Sequence, residues 1–261
     1  MPQVIKDLGL TPQQKYNSII AAVSGTIFAR LLLGKLCDKY GPRLCYTWML
    51  LIGSLPVIGI AFVQNYEQFL FCRILIGFIG ASFVITQVHT SLMFAPNCVG
   101  TANATSAGWG NLGGGITLLT MPFIMQFFLS ITGSDIGTSW RLCMIVPIFM
   151  HLGSAYFIWT GRDLPDGSYK QLEAAGAKQK SKGAANVVAL GFSNTNALIM
   201  LITYGLCFGV ELCMNNKLVP YFTRYYGMEP TTAGPLGACF SLMNLCARSW
   251  GGCLSDVLAK K

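Results

Sequence analysis

The amino-acid sequence predicts an all-α integral membrane protein. Of its 261 residues, 53% are hydrophobic and only 11% are charged, whereas about a quarter of the residues in an ordinary soluble domain are charged. So few charges cannot cover the surface of a water-soluble body of this size. Seven apolar stretches are long enough to cross a bilayer, and each is expected to be a helix because lipid offers the backbone no hydrogen bonds. The composition excludes most classes of soluble enzyme.

The seven predicted spans follow one another with short connections, apart from one polar stretch at residues 161–194. We divide the chain accordingly into a first transmembrane bundle (residues 1–160), a cytoplasmic central loop (161–194) and the first two helices of a second bundle (195–261). The spans lie near residues 15–36, 44–64, 69–93, 102–128, 140–160, 197–216 and 233–254.

The orientation follows from the basic residues, which outnumber the acidic ones by 18 to 10 and give a net charge of +8. Loops rich in lysine and arginine stay in the cytoplasm, so this excess indicates membrane topology and not nucleic-acid binding. The amino terminus would then lie outside without a signal peptide, which predicts that an earlier span is missing. The cytoplasmic basic residues are Lys35, Lys39, Arg43, Arg162, Lys170, Lys178, Lys180, Lys182, Lys260 and Lys261.

A short phrase occurs twice, each time at the cytoplasmic end of a predicted span. Residues 29–38 read ARLLLGKLCD and residues 247–256 read ARSWGGCLSD, with Ala, Arg, Gly, Leu and Asp at matching positions. Secondary transporters are often built from repeated bundles related by an axis along the membrane normal. The repeat therefore predicts a carrier with two related halves.

Arg30 and Arg248, the arginines of this repeat, are predicted to lie near mid-membrane. Each precedes the repeat's aspartate by eight residues, about 12 Å along a helix. A guanidinium at that depth costs about 2.5–3.5 kcal/mol, so it must face a cavity or a partner. Either each arginine pairs with a buried acid, or the two form an anion site. Glu211 is the only acid well inside a span and cannot neutralise both, so we favour unpaired arginines that bind an anion.

Four other residues are candidates for the same site. Asn111 lies in a glycine-rich segment that favours close helix packing, and its amide could donate hydrogen bonds to an anion without adding charge. Phe83, Tyr204 and Phe208 lie deep in other spans, where aromatic residues most often serve packing. Tyr204 and Phe208 are one helical turn apart and so share a face. No nucleotide-binding loop, metal motif or nucleophile motif is present, so neither a cofactor nor an enzyme is expected.

Three motifs and one amino-terminal segment together resemble one family. Residues 34–43 (GKLCDKYGPR) resemble the cytoplasmic loop motif of the major facilitator superfamily, which lies between its second and third helices. Residues 107–114 (AGWGNLGG) resemble the signature of its nitrate/nitrite porter branch. Residues 163–169 (DLPDGSY) and 4–11 (VIKDLGLT) are similar to segments of the eukaryotic high-affinity nitrate transporters of plants and algae.

The resemblance implies a partial major facilitator fold of about seven transmembrane helices, equivalent to family helices 2–8. The first helix and the last four are not represented, so a fragment is expected. The family's anion-binding arginines fall on Arg30 and Arg248, its signature asparagine on Asn111, and its aromatic residues on Phe83, Tyr204 and Phe208. The gating motif falls on Gly34, Asp38, Gly41, Arg43 and, in the second copy, Asp256.

The resemblance further implies a multi-pass protein of the plasma membrane that imports nitrate, and nitrite, by alternating access for nitrate assimilation. Protons are the implied coupling ion, and some relatives require a small accessory membrane protein. The alternatives that the residues leave open are a carrier of another small anion, such as a carboxylate, and a truncated form that does not transport.

Overall fold

The computed structural model describes residues 2–176 and 191–259, which form helices joined by short loops. The all-α prediction is confirmed for this part of the chain. The helices are α1 (Pro2–Asp7), α2 (Pro12–Tyr40), α3 (Pro42–Ala61), α4 (Tyr66–Ile79), α5 (Ser82–Met93), α6 (Val99–Ile131), α7 (Ile136–Cys143), α8 (Ile145–Thr160), α9 (Tyr169–Ala174), α10 (Thr195–Tyr225) and α11 (Pro230–Leu258).

Six helical stretches within the described residues are long and apolar enough to cross a membrane. They correspond to the first six predicted spans, the second of which ends three residues earlier than predicted, at Ala61. The protein is a multi-pass integral membrane protein. The seventh predicted span, 233–254, forms α11, which is long enough but does not reach the same apolarity. Its small and polar residues instead face α6 and α10. The six stretches are Pro12–Tyr40, Pro42–Ala61, Tyr66–Met93, Val99–Ile131, Ile136–Thr160 and Thr195–Tyr225.

Two of the spans are interrupted, which the sequence did not predict. The third span consists of α4 and α5, which meet at Gly80 and Ala81, and the fifth consists of α7 and α8, which are separated by Met144. Close to the first break, the Thr26 hydroxyl donates a hydrogen bond of 2.6 Å to the carbonyl oxygen of Gly77. A neighbouring helix thus binds a carbonyl next to the point where the helix is broken, as membrane helices require.

The glycine-rich helix α6 packs along α11, and this is the most extensive contact between helices in the described residues. A Cβ atom added to Gly108 would lie 3.0 Å from the carbonyl oxygen of Asn244, and one added to Gly115 would lie 3.0 Å from Ser241 Cβ. Glycine is therefore needed at these two positions because the backbones approach so closely. Within the first bundle, α2 packs on α4 and α3 packs on α8.

Residues 1–14 contain a short helix, α1, that the sequence did not predict. Its last residue, Asp7, accepts hydrogen bonds from Trp140 Nε1 at 3.0 Å and from Arg141 Nη1 at 2.9 Å, both on α7. α2 then begins at a reciprocal cap, in which Thr11 and Gln14 each bind the other's backbone N–H.

Part of the predicted cytoplasmic charge lies outside the described residues. Lys178, Lys180, Lys182, Lys260 and Lys261 all belong to this group. The division into two bundles and a central loop remains a prediction.

Candidate functional site

Arg30 lies in the middle of α2 and is held by aromatic rings. Its Cζ atom is 5.7 Å from the centroid of the Phe83 ring and 5.6 Å from that of the Phe208 ring, distances at which a cation is attracted to a ring face. Its Nε atom is buried without a hydrogen-bond partner, and no acid pairs with this side chain among the described residues. Arg30 is thus a cation that lies within a long apolar helix and has no acid partner among the residues described.

The three predicted aromatic residues form one stack. The Phe83 and Tyr204 rings are 6.1 Å apart between centroids, with 22° between their planes, and the Tyr204 and Phe208 rings are 5.5 Å apart and nearly parallel at 9°. Phe83 comes from α5, whereas Tyr204 and Phe208 come from α10. The stack therefore joins the predicted first and second bundles beside Arg30.

Arg248 has an acidic partner, which corrects the expectation that both arginines are unpaired. Its Nη2 atom donates a hydrogen bond of 2.7 Å to Glu211 Oε2, and both side chains are mostly buried. The other carboxylate oxygen, Oε1, accepts bonds from Asn111 Nδ2 at 2.8 Å and from Asn244 Nδ2 at 2.9 Å. Asn244 in turn accepts a bond from Arg248 Nε at 3.3 Å. The carboxylate is needed here because a guanidinium and two amides would otherwise be buried without an acceptor.

The structure brings all six predicted binding residues into one region. Tyr204 connects its two parts, because it stacks on the rings beside Arg30 and lies within electrostatic range of Arg30, Arg248 and Glu211. The net formal charge of the two arginines and Glu211 is +1. The region as a whole therefore suits a small anion.

Glu211 and Asn244 are the members of this region that sequence reasoning did not assign to it. The sequence shows Glu211 as an acid well inside a span, but its three hydrogen-bond donors come from two other helices. No local sequence pattern reveals such contacts between helices. Asn244 lies four residues before Arg248, one helical turn away. That spacing was the available signal, together with the presence of an amide in an apolar span.

A cavity of about 360 Å³ lies between α2 and α10, on the predicted outer side of Arg30 and Phe208. It is lined by residues of α2 from Lys15 to Ser24 and of α10 from Gly209 to Pro220. Near its outer edge, Lys217 Nζ donates a hydrogen bond of 3.1 Å to the Tyr16 hydroxyl. The cavity is thus mostly apolar, with two cations, Lys15 and Lys217, near its outer edge.

Asp256, the last residue of the repeat, binds the beginning of α6. Its carboxylate accepts hydrogen bonds from the backbone N–H of Gly100 at 3.1 Å, and from the N–H and hydroxyl of Thr101 at 2.7 and 2.6 Å. A carboxylate at a helix amino terminus accepts hydrogen bonds from N–H groups that have no partner within the helix, and its negative charge is attracted to the positive end of the helix dipole. Asp256 therefore fastens α11 to α6 at their predicted cytoplasmic ends.

The first copy of the motif makes different contacts. Gly34 and Asp38 lie on the last turns of α2, and Asp38 is exposed. Gly41 has a φ of +89° and ends α2, and an added Cβ would lie 3.0 Å from Asp163 Oδ1. The buried Asp163 carboxylate accepts a hydrogen bond from the Arg43 backbone N–H at 3.1 Å and lies 3.6 Å from Arg43 Nε. This copy thus fixes the α2–α3 turn to the segment after α8.

Tyr169 completes this cytoplasmic cluster. Its backbone N–H donates a hydrogen bond of 3.2 Å to Asp163 Oδ2. Burial raises the pKa of the Tyr169 hydroxyl, and the nearby charge of Asp163 adds to that effect. Residues 163–169, which resemble a segment of the plant and algal nitrate transporters, therefore pack against the cytoplasmic loop motif, residues 34–43.

Comparison with known proteins gives a consistent result. All of residues 1–261 match the family model described as Major Facilitator Superfamily. The chain is 37% identical to "High affinity nitrate transporter 2.5" of Arabidopsis thaliana over 262 residues, which cover 100% of this chain and 52% of that protein. It is 38% identical to "Nitrate transporter 2.1" of Chlamydomonas reinhardtii over 262 residues, or 99% of this chain and 48% of that protein.

A more distant similarity extends to cyanobacteria. "Nitrate/nitrite transporter NrtP" of Nostoc punctiforme is 25% identical over 319 residues, which cover 96% of this chain and 63% of that protein. The chain thus spans about half the length of the plant and algal relatives it matches.

Proposed function

We propose that this chain, which belongs to the major facilitator superfamily, forms part of a carrier that moves nitrate, and nitrite, across the plasma membrane. Arg30 is the observation that carries this proposal, because a partly buried guanidinium that pairs with no acid in the part of the chain that the structure describes requires an anion to offset its cost in the membrane. The relatives named as nitrate transporters support the choice of anion.

Nitrate fits the chemistry of the region. It is a flat monovalent anion that accepts hydrogen bonds and donates none. The planar guanidinium of Arg30 offers two parallel N–H donors, a geometry that matches two oxygens of such an anion. The Phe83 and Phe208 rings already lie within 6 Å of Arg30 and would confine the flat faces of the ligand.

Arg248 and Asn111 supply the facing donors in this proposal. In this structure both donate hydrogen bonds to Glu211. They therefore lie close to the proposed site, but their donors are bound to the Glu211 carboxylate. Because Arg30 lies on α2 and Arg248 on α11, an anion that contacts both would connect the two predicted bundles. Such a ligand favours the arrangement in which the arginines are close, and this links occupancy to the relative position of the bundles.

Alternating access is supported by contacts on the two sides of the region. Asp256 joins α11 to α6 at the predicted cytoplasmic end, while the 360 Å³ cavity lies on the predicted outer side. This arrangement corresponds to a carrier that accepts its anion from outside. Import for nitrate assimilation, coupling to protons and a small accessory membrane partner complete the proposal, and they rest on the family resemblance.

The experiment is nitrate binding to the purified protein in lipid nanodiscs, measured by calorimetry, with an Arg30→Lys variant. Lysine keeps the charge but loses the two parallel donors. Losing one hydrogen bond to a charged group costs about 1.5–3 kcal/mol, so we expect nitrate affinity to fall roughly ten- to hundredfold.

Arg224→Lys is the matched control, because Arg224 is exposed near the end of α10 and its replacement should leave affinity unchanged. Equal affinity in Arg30→Lys and in the unmodified protein would contradict the proposed site. Calorimetric binding of formate or acetate, without binding of nitrate, would instead favour a carrier of another small anion.

A further inference from the structure

We infer that Glu211 is a proton-binding site that controls whether Arg248 is free to bind the transported anion. This inference rests on the proposed function and assigns the coupling ion to one residue. It starts from the position of Glu211 near the middle of the 31-residue helix α10. The other acids of the described helices lie close to helix ends or in loops.

Glu211 and the anion would compete for the same donors. Both carboxylate oxygens are occupied, one by Arg248 and the other by Asn111 and Asn244. Nitrate placed between Arg30 and Arg248 would have to take Arg248 from Glu211, which would leave two negative groups side by side in a mostly buried site. Like charges in such surroundings repel strongly. Deprotonated Glu211 therefore opposes anion binding.

A proton removes this opposition. When Glu211 takes up a proton from the outer solution, its carboxyl group becomes neutral and its ion pair with Arg248 is lost. Arg248 then turns to the anion, while the carboxyl group still accepts a hydrogen bond from Asn111 or Asn244. On the opposite side the proton leaves to cytoplasmic water, Arg248 returns to Glu211, and the anion loses one of its two cations.

The charge balance supports this sequence. Arg30, Arg248 and ionised Glu211 together carry +1. With one proton on Glu211 and one nitrate bound, the same region again carries +1. The loaded and empty forms therefore present the same charge to the membrane, whereas nitrate without the proton would change it. Equal charge keeps the electrostatic cost of moving between bundle arrangements similar in both directions.

The surroundings of Glu211 contain few other titratable groups. Arg248 faces it from α11, and Tyr204 and Cys207 lie on α10 itself, with Arg30 of α2 on the other side of Tyr204. Helix α6 contributes the neutral amide of Asn111, which donates a hydrogen bond to Glu211. Helix α5 contributes the Phe83 ring, which stacks on Tyr204 and not on Glu211 itself. Among these groups, only Glu211 both binds Arg248 directly and loses a negative charge when it takes up a proton.

The test measures nitrate affinity between pH 5 and 8 for the purified protein in nanodiscs, together with proton uptake on nitrate addition in weak buffer. We expect the unmodified protein to bind nitrate at least tenfold more tightly at pH 5 than at pH 8 and to take up a proton as it binds. Glu211→Gln should bind at pH 8 as tightly as the unmodified protein does at pH 5, with no proton uptake.

Two further variants keep the result interpretable. Glu211→Asp retains a carboxyl group and should keep a pH-dependent affinity, while Glu67→Gln, at an exposed position near the outer end of α4, should behave as the unmodified protein. A merely structural role for Glu211 predicts weaker binding in Glu211→Gln at every pH, and that result would overturn the inference. So would pH-independent nitrate binding by the unmodified protein.

An infrared measurement separates this inference from the proposed function. A carboxylic acid band that appears on acidification and is missing in Glu211→Gln would establish the proton site without any anion. If that band were present but nitrate did not bind, the proposed function would fail and the proton site would stand. If nitrate bound and no band were lost in Glu211→Gln, the inference would fail and the function would stand.

Discussion

Replacing Asp256 with alanine should loosen the cytoplasmic end of α6. The Asp256 carboxylate accepts hydrogen bonds from the backbone N–H groups of Gly100 and Thr101 and from the Thr101 hydroxyl. Alanine offers none of these acceptors, so the first turn of α6 would lose its partner on α11.

The expected size of the effect follows from these bonds. Removal of a helix cap costs about 0.5–2 kcal/mol, and a hydrogen bond to a charged group contributes about 1.5–3 kcal/mol. Asp256 is half-buried, so water replaces only part of what is lost. We take about 2 kcal/mol, which raises the population of the locally opened state roughly thirtyfold.

Hydrogen–deuterium exchange of a peptide covering residues 98–105 measures this opening directly. The amides of Gly100 and Thr101 should exchange roughly thirtyfold faster in Asp256→Ala. The repeat provides the control, because Asp38 occupies the matching position and is exposed, so Asp38→Ala should leave that peptide unchanged. Unaltered exchange in Asp256→Ala would refute the idea that this carboxylate fastens the two helices.

Two other predictions concern packing and pH. Gly108→Val should lower the thermal stability of the purified protein by about 1–3 kcal/mol, since its Cβ would lie 3.0 Å from a carbonyl oxygen of α11. Gly110→Val, which meets no atom within 4 Å, is the control, and equal losses would contradict close packing as the cause. Hydrogen bonds from Thr138 and Gly137 lower the pKa of Asp135, which caps α7. Its stabilising effect is present above the ordinary pKa of 3.8 and is lost as pH falls through the lowered value. The melting temperatures of the unmodified protein and Asp135→Ala should therefore differ near neutral pH, begin to converge as pH falls below 3.8 and meet once pH is below the lowered pKa. A constant difference would contradict the cap.

Much of the fold could be predicted because lipid imposes a simple rule on the sequence. A span must be apolar over about 20 residues, and the first six predicted spans meet that condition. α11 shows the limit of the rule, because a helix that packs against other helices with glycine, serine and asparagine loses the apolar signal. The breaks at Gly80 and Met144 had no signal of their own, since hydrophobicity continues through them.

The candidate site was predictable in its residues but not in its pairing. The repeat singled out Arg30 and Arg248, while the glycine-rich segment and the deep aromatic positions suggested the other four residues. The family resemblance fell on the same six. Sequence similarity between the two copies suggested equal roles for the arginines. The structure gives them different partners, because Glu211 reaches Arg248 and no acid among the described residues reaches Arg30. Such asymmetry depends on a third helix and is therefore not visible in a comparison of the two copies.

The ring stack of Phe83 and Tyr204 crosses from α5 to α10, and this has a consequence for how a ligand would leave. If the two predicted bundles move relative to each other, as the proposed function requires, a surface that they share exists only while they are aligned. Sliding either bundle would separate the two faces and remove one wall of the chamber around Arg30. The displacement that opens the exit would then also dismantle the pocket, and it would act together with proton loss from Glu211 in releasing the ligand.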